Sequence, residues 1–392
     1  MHDCREDFPM VNDLSGWDFV FAFAKYGDEW RIQRRLFEQS FNVKASRKFE
    51  PQQCLASGDL LKWMLSSPDD FLDHFRRMTG EFIMDFTYGI DVQPLNDPYV
   101  TLAHDALQTL IIAGVPGRYL VDSFPILKHI PTWFPGAGFK RQAQKWRKLA
   151  RGMMELPFAE TQRQMGLGIA RSSFASDSLN LLKDMDAGHA FFQERHVQTT
   201  AGTIYLGGTD TTVSALGTFI LAMLANPEAQ KKAQLDIDAI TGGEALPTFQ
   251  DRDSLPYISA IVKEVLRWQP VAPFAIPHRL TTEDEYGGYR LPAGSIVLGN
   301  AWALLHDESV YPDPHAFKPE RFMLNGQLNA AVPDPEAAFG FGRRMCPGRH
   351  MANSSLWIAF AYILATFEIQ KAVDSEGKVI EPTYEYQSGL GK

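Results

Sequence analysis

The stretch Phe339-Gly340-Phe341-Gly342-Arg343-Arg344-Met345-Cys346-Pro347-Gly348 constrains this chain more than any other part of it. Its form is F-x-x-G-x-R-x-C-x-G. Gly342 and Gly348 let the backbone turn tightly and bring N–H groups towards the Cys346 sulfur. Phe339 opens the pattern, and Arg344 places a permanent positive charge two residues before the cysteine. Such a loop suits a thiolate that stays anionic as a metal ligand. The spacing describes a haem iron held by Cys346, with Arg344 against a haem propionate. Thiolate ligation pushes electron density onto iron and favours O–O cleavage. The plain alternative is a buried free cysteine in a glycine-rich loop.

The rest of the chain limits the setting. With 392 residues it is long enough to bury a large core. It is 45% hydrophobic and 22% charged, a globular composition with enough Phe and Trp to line an apolar cavity. A net charge of -9 argues against general nucleic-acid binding. The three cysteines, Cys4, Cys54 and Cys346, are far apart and give neither a disulfide framework nor zinc spacing. Leu216 to Ala225 and Leu356 to Phe367 are apolar but shorter than the roughly 18–20 residues that span a bilayer, and read as core helices. The N-terminus, Met-His-Asp-Cys-Arg-Glu-Asp, has the character of neither a signal peptide nor an anchor.

Periodicity predicts helices over Asp28 to Phe41, Phe71 to Tyr88 and Asp97 to Ala113. Further helices are expected from about Gly138 to Gln164, from Gly188 to Leu224, after Pro227, over Leu255 to Trp268, and over Arg349 to Phe367. Phe124 to Gly138 reads as an ordered loop. Short strands are expected between Val271 and Val297, where Pro, Gly and β-branched residues become frequent. Helical and strand regions interlock, so the fold class is mainly α, a helix-rich α+β architecture in one domain spanning residues 1–392.

Three further patterns carry chemistry. Trp30-Arg31-Ile32-Gln33-Arg34 is W-x-x-x-R, which puts Trp30 and Arg34 on one helix face. Gly207-Gly208-Thr209-Asp210-Thr211-Thr212 lies inside a long helical run, where each glycine costs about 1 kcal/mol relative to alanine. Two glycines before an acid and an alcohol suggest a widened turn that leaves room for a small molecule. Glu264-Val265-Leu266-Arg267 is E-x-x-R, an i,i+3 pair of opposite charge.

Together with the cysteine loop, these motifs resemble the cytochrome P-450 family of haem-thiolate monooxygenases, from about Asp28 to about Gln370. The stretches Pro116-Gly117-Arg118 and Trp133-Phe134-Pro135-Gly136 resemble a fungal, secondary-metabolism branch. The resemblance implies a cytochrome P-450 fold with a small β-sheet and haem b as cofactor, its iron ligated by Cys346. Trp30, Arg34 and His278 would meet the propionates. Phe339, Gly342, Arg344 and Gly348 complete the ligand loop. Asp210 and Thr211 would deliver protons during oxygen activation. Arg321, in Phe317-Lys318-Pro319-Glu320-Arg321-Phe322, would close a buried structural network with Glu264 and Arg267. Thr203, Leu206, Gly207, Phe274 and Ile276 would line the substrate site, and their mostly apolar character implies an apolar substrate.

The implied reaction inserts one oxygen atom from O₂, with electrons from NADPH passed through a flavoprotein reductase. Arg31 and Arg35, with Arg343 and Arg349, would form its docking face. Two other readings stand beside this one: a haem-thiolate isomerase or dehydratase, disfavoured by the Asp210–Thr211 pair, and a non-catalytic haem-binding remnant. The second arises because the chain lacks the family's usual anchor, first strands and final hairpin. That truncation implies an exposed sheet edge, reduced stability and low haem occupancy. The family is typically found on the cytosolic face of the endoplasmic-reticulum membrane; without an anchor, a cytosolic or peripheral location is expected.

Overall fold

The computed structural model describes residues 3–5, 8–93, 97–115, 117–185 and 191–384. Pro116, Gly188 and the Ser388–Lys392 terminus lie outside them. In chain order the helices are α1 Asp28–Phe41, α2 Val43–Arg47, α3 Glu50–Ser66, α4 Phe71–Tyr88, α5 Pro98–Ala113, α6 Leu120–Ser123 and α7 Gly138–Gly166. They continue with α8 Phe174–Asp184, α9 Glu194–Gly208, α10 Asp210–Ala225, α11 Pro227–Thr241, α12 Pro256–Trp268, α13 Ala301–Leu305 and α14 Arg349–Thr366. The chain divides into two compact units. One comprises Met1–Ser40, Gly80–Thr209 and Ile276–Leu298; the other comprises Phe41–Thr79, Asp210–Ala275 and Gly299–Lys392.

The first unit is built on α5, α7 and α9. α7 buries Ala143, Trp146, Ala150, Met153, Met154 and Phe158, an apolar stripe at three- and four-residue spacing. It packs against α9 at Gly202, where a Cβ would come within 2.9 Å of Met154 Cγ and 3.0 Å of the Phe19 ring. α1 starts on Asp28 and Glu29, acids that suit the positive end of a helix. It buries Trp30, Gln33, Leu36 and Phe37.

The same unit holds a three-stranded antiparallel sheet in the order β1 (Asp3–Arg5), β2 (His278–Leu280), β5 (Ile296–Val297). Beside it in sequence, β3 (Asp284–Tyr286) and β4 (Tyr289–Leu291) make a hairpin. The sequence reading left this sheet without its first strands. Instead, residues 3–5 occupy the edge of β2, with Asp3 opposite Leu280 and Arg5 opposite His278. Three extended residues suffice to satisfy the backbone groups of an equally short strand.

The second unit packs α3, α10, α11 and α12 around α14. Trp357, Ile358, Phe360 and Ile363 on α14 are fully buried, and Phe360 stacks on Phe219 of α10 with ring centroids 3.9 Å apart. A small hairpin, β6 (Met323–Leu324) and β7 (Gln327–Leu328), follows the Pro319–Phe322 turn.

The helix expected from Gly188 to Leu224 is interrupted. α9 ends at Gly208, Thr209 adopts φ -77 and ψ -81, and α10 starts at Asp210. By length and hydropathy the stretch Glu194–Ala225 is apolar enough to cross a membrane, although it has no unbroken apolar run of that length. Val197, Ala201, Ile204, Leu216 and Phe219 along it are buried, as in a core helix.

Candidate functional site

In the second unit the cysteine loop is pinned to itself. Gly340 and Gly342 have φ of +85° and +54°, the left-handed conformation that glycine adopts without cost. Between and after them, Arg344 N–H donates to Phe341 O at 3.2 Å and Met345 N–H to Gly342 O at 3.1 Å. Cys346 N–H closes the turn on Phe339 O at 2.8 Å. The Cys346 side chain is half-buried, two residues before the Gly348 N-cap of α14. A helix N-terminus favours negative charge. The Arg349 guanidinium donates to the Cys346 backbone carbonyl at 3.2 Å and braces the turn. A Cβ on Gly348 would sit 3.8 Å from Cys346 Sγ and 3.9 Å from the Phe41 ring, filling space beside the sulfur. Arg344 is buried and Arg343 is exposed.

One position escaped the sequence reading. A Cβ on Gly299 would strike the Phe341 ring at 2.3 Å, so glycine at 299 is what lets that ring pack. Nothing in the local sequence signals this, because the partner is distant in the chain.

Among the described residues no group of three or more His, Cys, Asp or Glu side chains could hold a bare metal ion. A single thiolate donor in a glycine-lined turn fits an iron that already carries four porphyrin nitrogens and needs one protein ligand. The residues present therefore fit haem.

Behind the loop, α12 supplies a closed charge network. Arg267 donates to Glu264 through Nε at 2.7 Å and Nη2 at 2.9 Å, and both side chains are 0% exposed. Arg321 Nε lies 3.0 Å from Glu264 Oε2, and Lys318 N–H donates to Oε1 at 2.7 Å. Further guanidinium hydrogens go to carbonyls: Leu305 and Ala316 for Arg267, and Pro312, Asp313 and Ala316 for Arg321. Such additional hydrogen bonds are what make a buried ion pair tolerable.

In this unit Asp210 opens α10 half-buried, and Thr211 beside it is exposed. Phe274 is also largely exposed, and Ala275 after it takes φ +52°, a left-handed conformation unusual for alanine.

The first unit carries the other sequence candidates. Trp30 is buried and stacks on Phe21, with centroids 5.6 Å apart and planes at 17°. Arg34 pairs with Glu38 at 2.7 Å. Arg31 pairs with Asp28, and the Arg35 guanidinium lies 3.9 Å over the Phe191 ring. His278 is half-buried at the start of β2, opposite Val297. Leu206 and Ile276 are half-buried.

The two glycines of α9 differ. A Cβ on Gly207 meets nothing within 4 Å, whereas one on Gly208 would lie 2.3 Å from Ile83 Cδ1. Gly207 faces open space; Gly208 permits close packing on α4. Thr203 is buried, its hydroxyl donating to Thr199 O at 2.9 Å and accepting from Phe21 N–H at 3.2 Å. Its side chain ties a loop to α9.

These features define a thiolate loop, a buried E-x-x-R network and an interrupted glycine helix. The family model described as cytochrome P-450 matches residues 7–388. A cytochrome P-450 monooxygenase of Armillaria gallica is 45% identical, over 98% of this chain and 75% of its own length. Tryptamine 4-monooxygenase of Psilocybe cyanescens is 42% identical, over 100% of this chain and 77% of its own. A solved zebra fish cytochrome P-450 shares the fold with a TM-score of 0.76 at 23% identity, over 100% of this chain and 86% of that one. The chain belongs to the cytochrome P-450 family. Its activity is that of a haem-thiolate monooxygenase.

Proposed function

We propose that this enzyme inserts one oxygen atom from O₂ into an apolar organic substrate of secondary metabolism. The second oxygen atom leaves as water, and NADPH supplies the two electrons through a flavoprotein reductase. The observation that carries this reading is the Asp210–Thr211 pair at the point where the glycine helix restarts. The presence of this acid–alcohol pair disfavours the isomerase or dehydratase reading.

Haem, when bound, would be held by Cys346 and would supply the oxygen chemistry. Trp30, Arg34, His278 and Arg344 would hold its propionates. The residues of this chain do the rest. Arg349 braces the Cys346 turn through its backbone carbonyl, and the start of α14 would favour negative charge on the sulfur. Gly207 leaves room beside the helix, and Leu206, Phe274 and Ile276 offer apolar surface. Asp210 would take up protons from solvent, and the Thr211 hydroxyl would pass them on.

The experiment is reconstitution with reductase and measurement of product formed per NADPH consumed. Thr211→Ala should keep haem and substrate binding, and lower that ratio by about a hundredfold, the low side of what a positioned proton donor contributes. The electrons should appear as hydrogen peroxide. An unchanged ratio would remove Thr211 from proton delivery.

For location, the reading is peripheral attachment at the cytosolic face of a membrane. Leu120, Phe124, Ile126 and Trp133 crowd exposed apolar area into a short segment, and Trp133 is 77% exposed. Aromatic and aliphatic side chains of this kind suit the interfacial zone of a bilayer. The chain should co-sediment with phosphatidylcholine–phosphatidylserine vesicles, and Trp133→Ser combined with Ile126→Ser should release it. Equal sedimentation of parent and variant would count against this face.

A further inference from the structure

α1 and the first turns of α9 are joined by a ladder of polar contacts that the family motifs do not include. Glu29 and Gln33 lie on one face of α1, at i and i+4. Glu29 Oε2 meets His196 Nε2 at 2.9 Å, and Oε1 meets Arg195 Nη2 at 2.7 Å. One turn on, Gln33 Nε2 donates to Thr199 Oγ1 at 2.7 Å. His196 and Gln33 are both buried. Gln193 N–H donates to His196 Nδ1 at 2.8 Å, capping α9. With Nδ1 accepting, the neutral ring carries its proton on Nε2 and donates it to Glu29. Desolvation works against the Glu29 carboxylate, but the hydrogen bonds from His196 and Arg195, with the Arg195 charge, outweigh it and leave its pKa below the ordinary value.

A second route connects the same two helices. Thr203 of α9 accepts from Phe21 N–H, and the Phe21 ring stacks on Trp30 of α1. The circuit is closed: Thr203 to Phe21, Phe21 to Trp30, α1 to Gln33, Gln33 to Thr199, and back along α9. Trp30 and Arg34 occupy the face of α1 adjoining Glu29 and Gln33. A slip of one residue along α1 would break both rungs and carry Arg34 about 1.5 Å along the axis. Displacements of that size are enough to disable a bound geometry. A buried polar pair adds little net stability over an apolar pair of similar shape, but it has only one satisfied register.

We propose that Gln33, Thr199 and His196 are positioning residues that hold Trp30 and Arg34 in the register needed to grip haem. This rests on the reading that Trp30 and Arg34 contact the propionates. The test is the rate of haem transfer from the purified holoenzyme to apomyoglobin, together with thermal melting. Gln33→Leu combined with Thr199→Val replaces one rung by an apolar pair. It should melt close to the parent yet lose haem about tenfold faster, as when groups that orient a ligand are removed. Thr199→Ser retains the hydroxyl and should behave as the parent. Glu29→Gln, at a more exposed site, keeps a fold-neutral variant in hand should the Leu–Val pair melt early; it should also lose haem faster. Arg34→Ala separates the two claims. If it leaves haem loss unchanged, the propionate reading falls and takes the ladder's role with it. If Arg34→Ala accelerates loss while the Leu–Val and Glu29→Gln variants keep the parent rate, the ladder proposal alone is overturned.

Discussion

Glutamine in place of Glu264 is expected to cost the protein about 3–5 kcal/mol, the usual result of breaking a fully buried ion pair. The substitution keeps the shape of the side chain and removes its charge. Two guanidiniums, Arg267 at 0% exposure and Arg321 nearly as deep, would face an amide with one acceptor oxygen where two carboxylate oxygens now serve. The Lys318 N–H would compete for that same oxygen. Natural domains have only about 5–15 kcal/mol in hand. Glu264→Gln should therefore melt far below the parent and express largely without haem. Glu160→Gln, which breaks the surface pair with Arg163, should leave the melting temperature where it is. Equal melting of the Glu264 variant and the parent would show that the network is not needed for stability.

The second large effect is at the ligand. Cys346→Ala should abolish the thiolate-type absorption of the reduced, CO-bound protein. Cys4→Ala and Cys54→Ala should leave it intact. For Cys54 there is a physical reason beyond distance from the glycine loop: burial pushes its thiol up, against a smaller opposing effect of the Tyr362 hydrogen bond, so it is a poor source of thiolate. A Cys346→Ala protein that kept the thiolate spectrum would refute the assignment.

The ligand loop was readable from sequence because its demands are local. Gly340 and Gly342 adopt conformations that side chains resist, and Cys346 bonds to a residue seven positions away. Helix ends were readable where punctuation is strong: α1 and α4 have the bounds their periodicity implies, and α5 begins one residue later, behind the Asp97 cap. α3 went unread because its buried face starts with Gln53 and Ser57, not with apolar residues. The Gln53 Nε2 donates to Met351 O and Ser355 Oγ, 298 and 302 residues on. α8 was missed because its start, Ser172-Ser173-Phe174-Ala175-Ser176, looks like a loop; the serines form a capping box. The bonds of Thr203 were not legible for a similar reason: its hydroxyl is committed to Phe21 and Thr199, and no pattern within one helix reveals a partner 182 positions away. The glycine pair was read as one device. Only the Ile83 contact separates the packing role of Gly208 from the open side of Gly207.

Ala275 bears on how the proposed substrate-lining positions 274 and 276 could be varied. Its left-handed backbone bends the chain between Phe274 and Ile276. The bend is set by the main chain at one residue, so its neighbours are free to vary in size without dictating the path. A saturation library should therefore diversify 274 and 276 together and restrict 275 to Ala, Gly or Asn, since β-branched residues are strained at positive φ. Glycine at 275 would relieve the present conformation at the cost of a looser unfolded chain. Variants with valine or isoleucine there should drop out of such a library at the level of soluble expression, before any turnover is assayed.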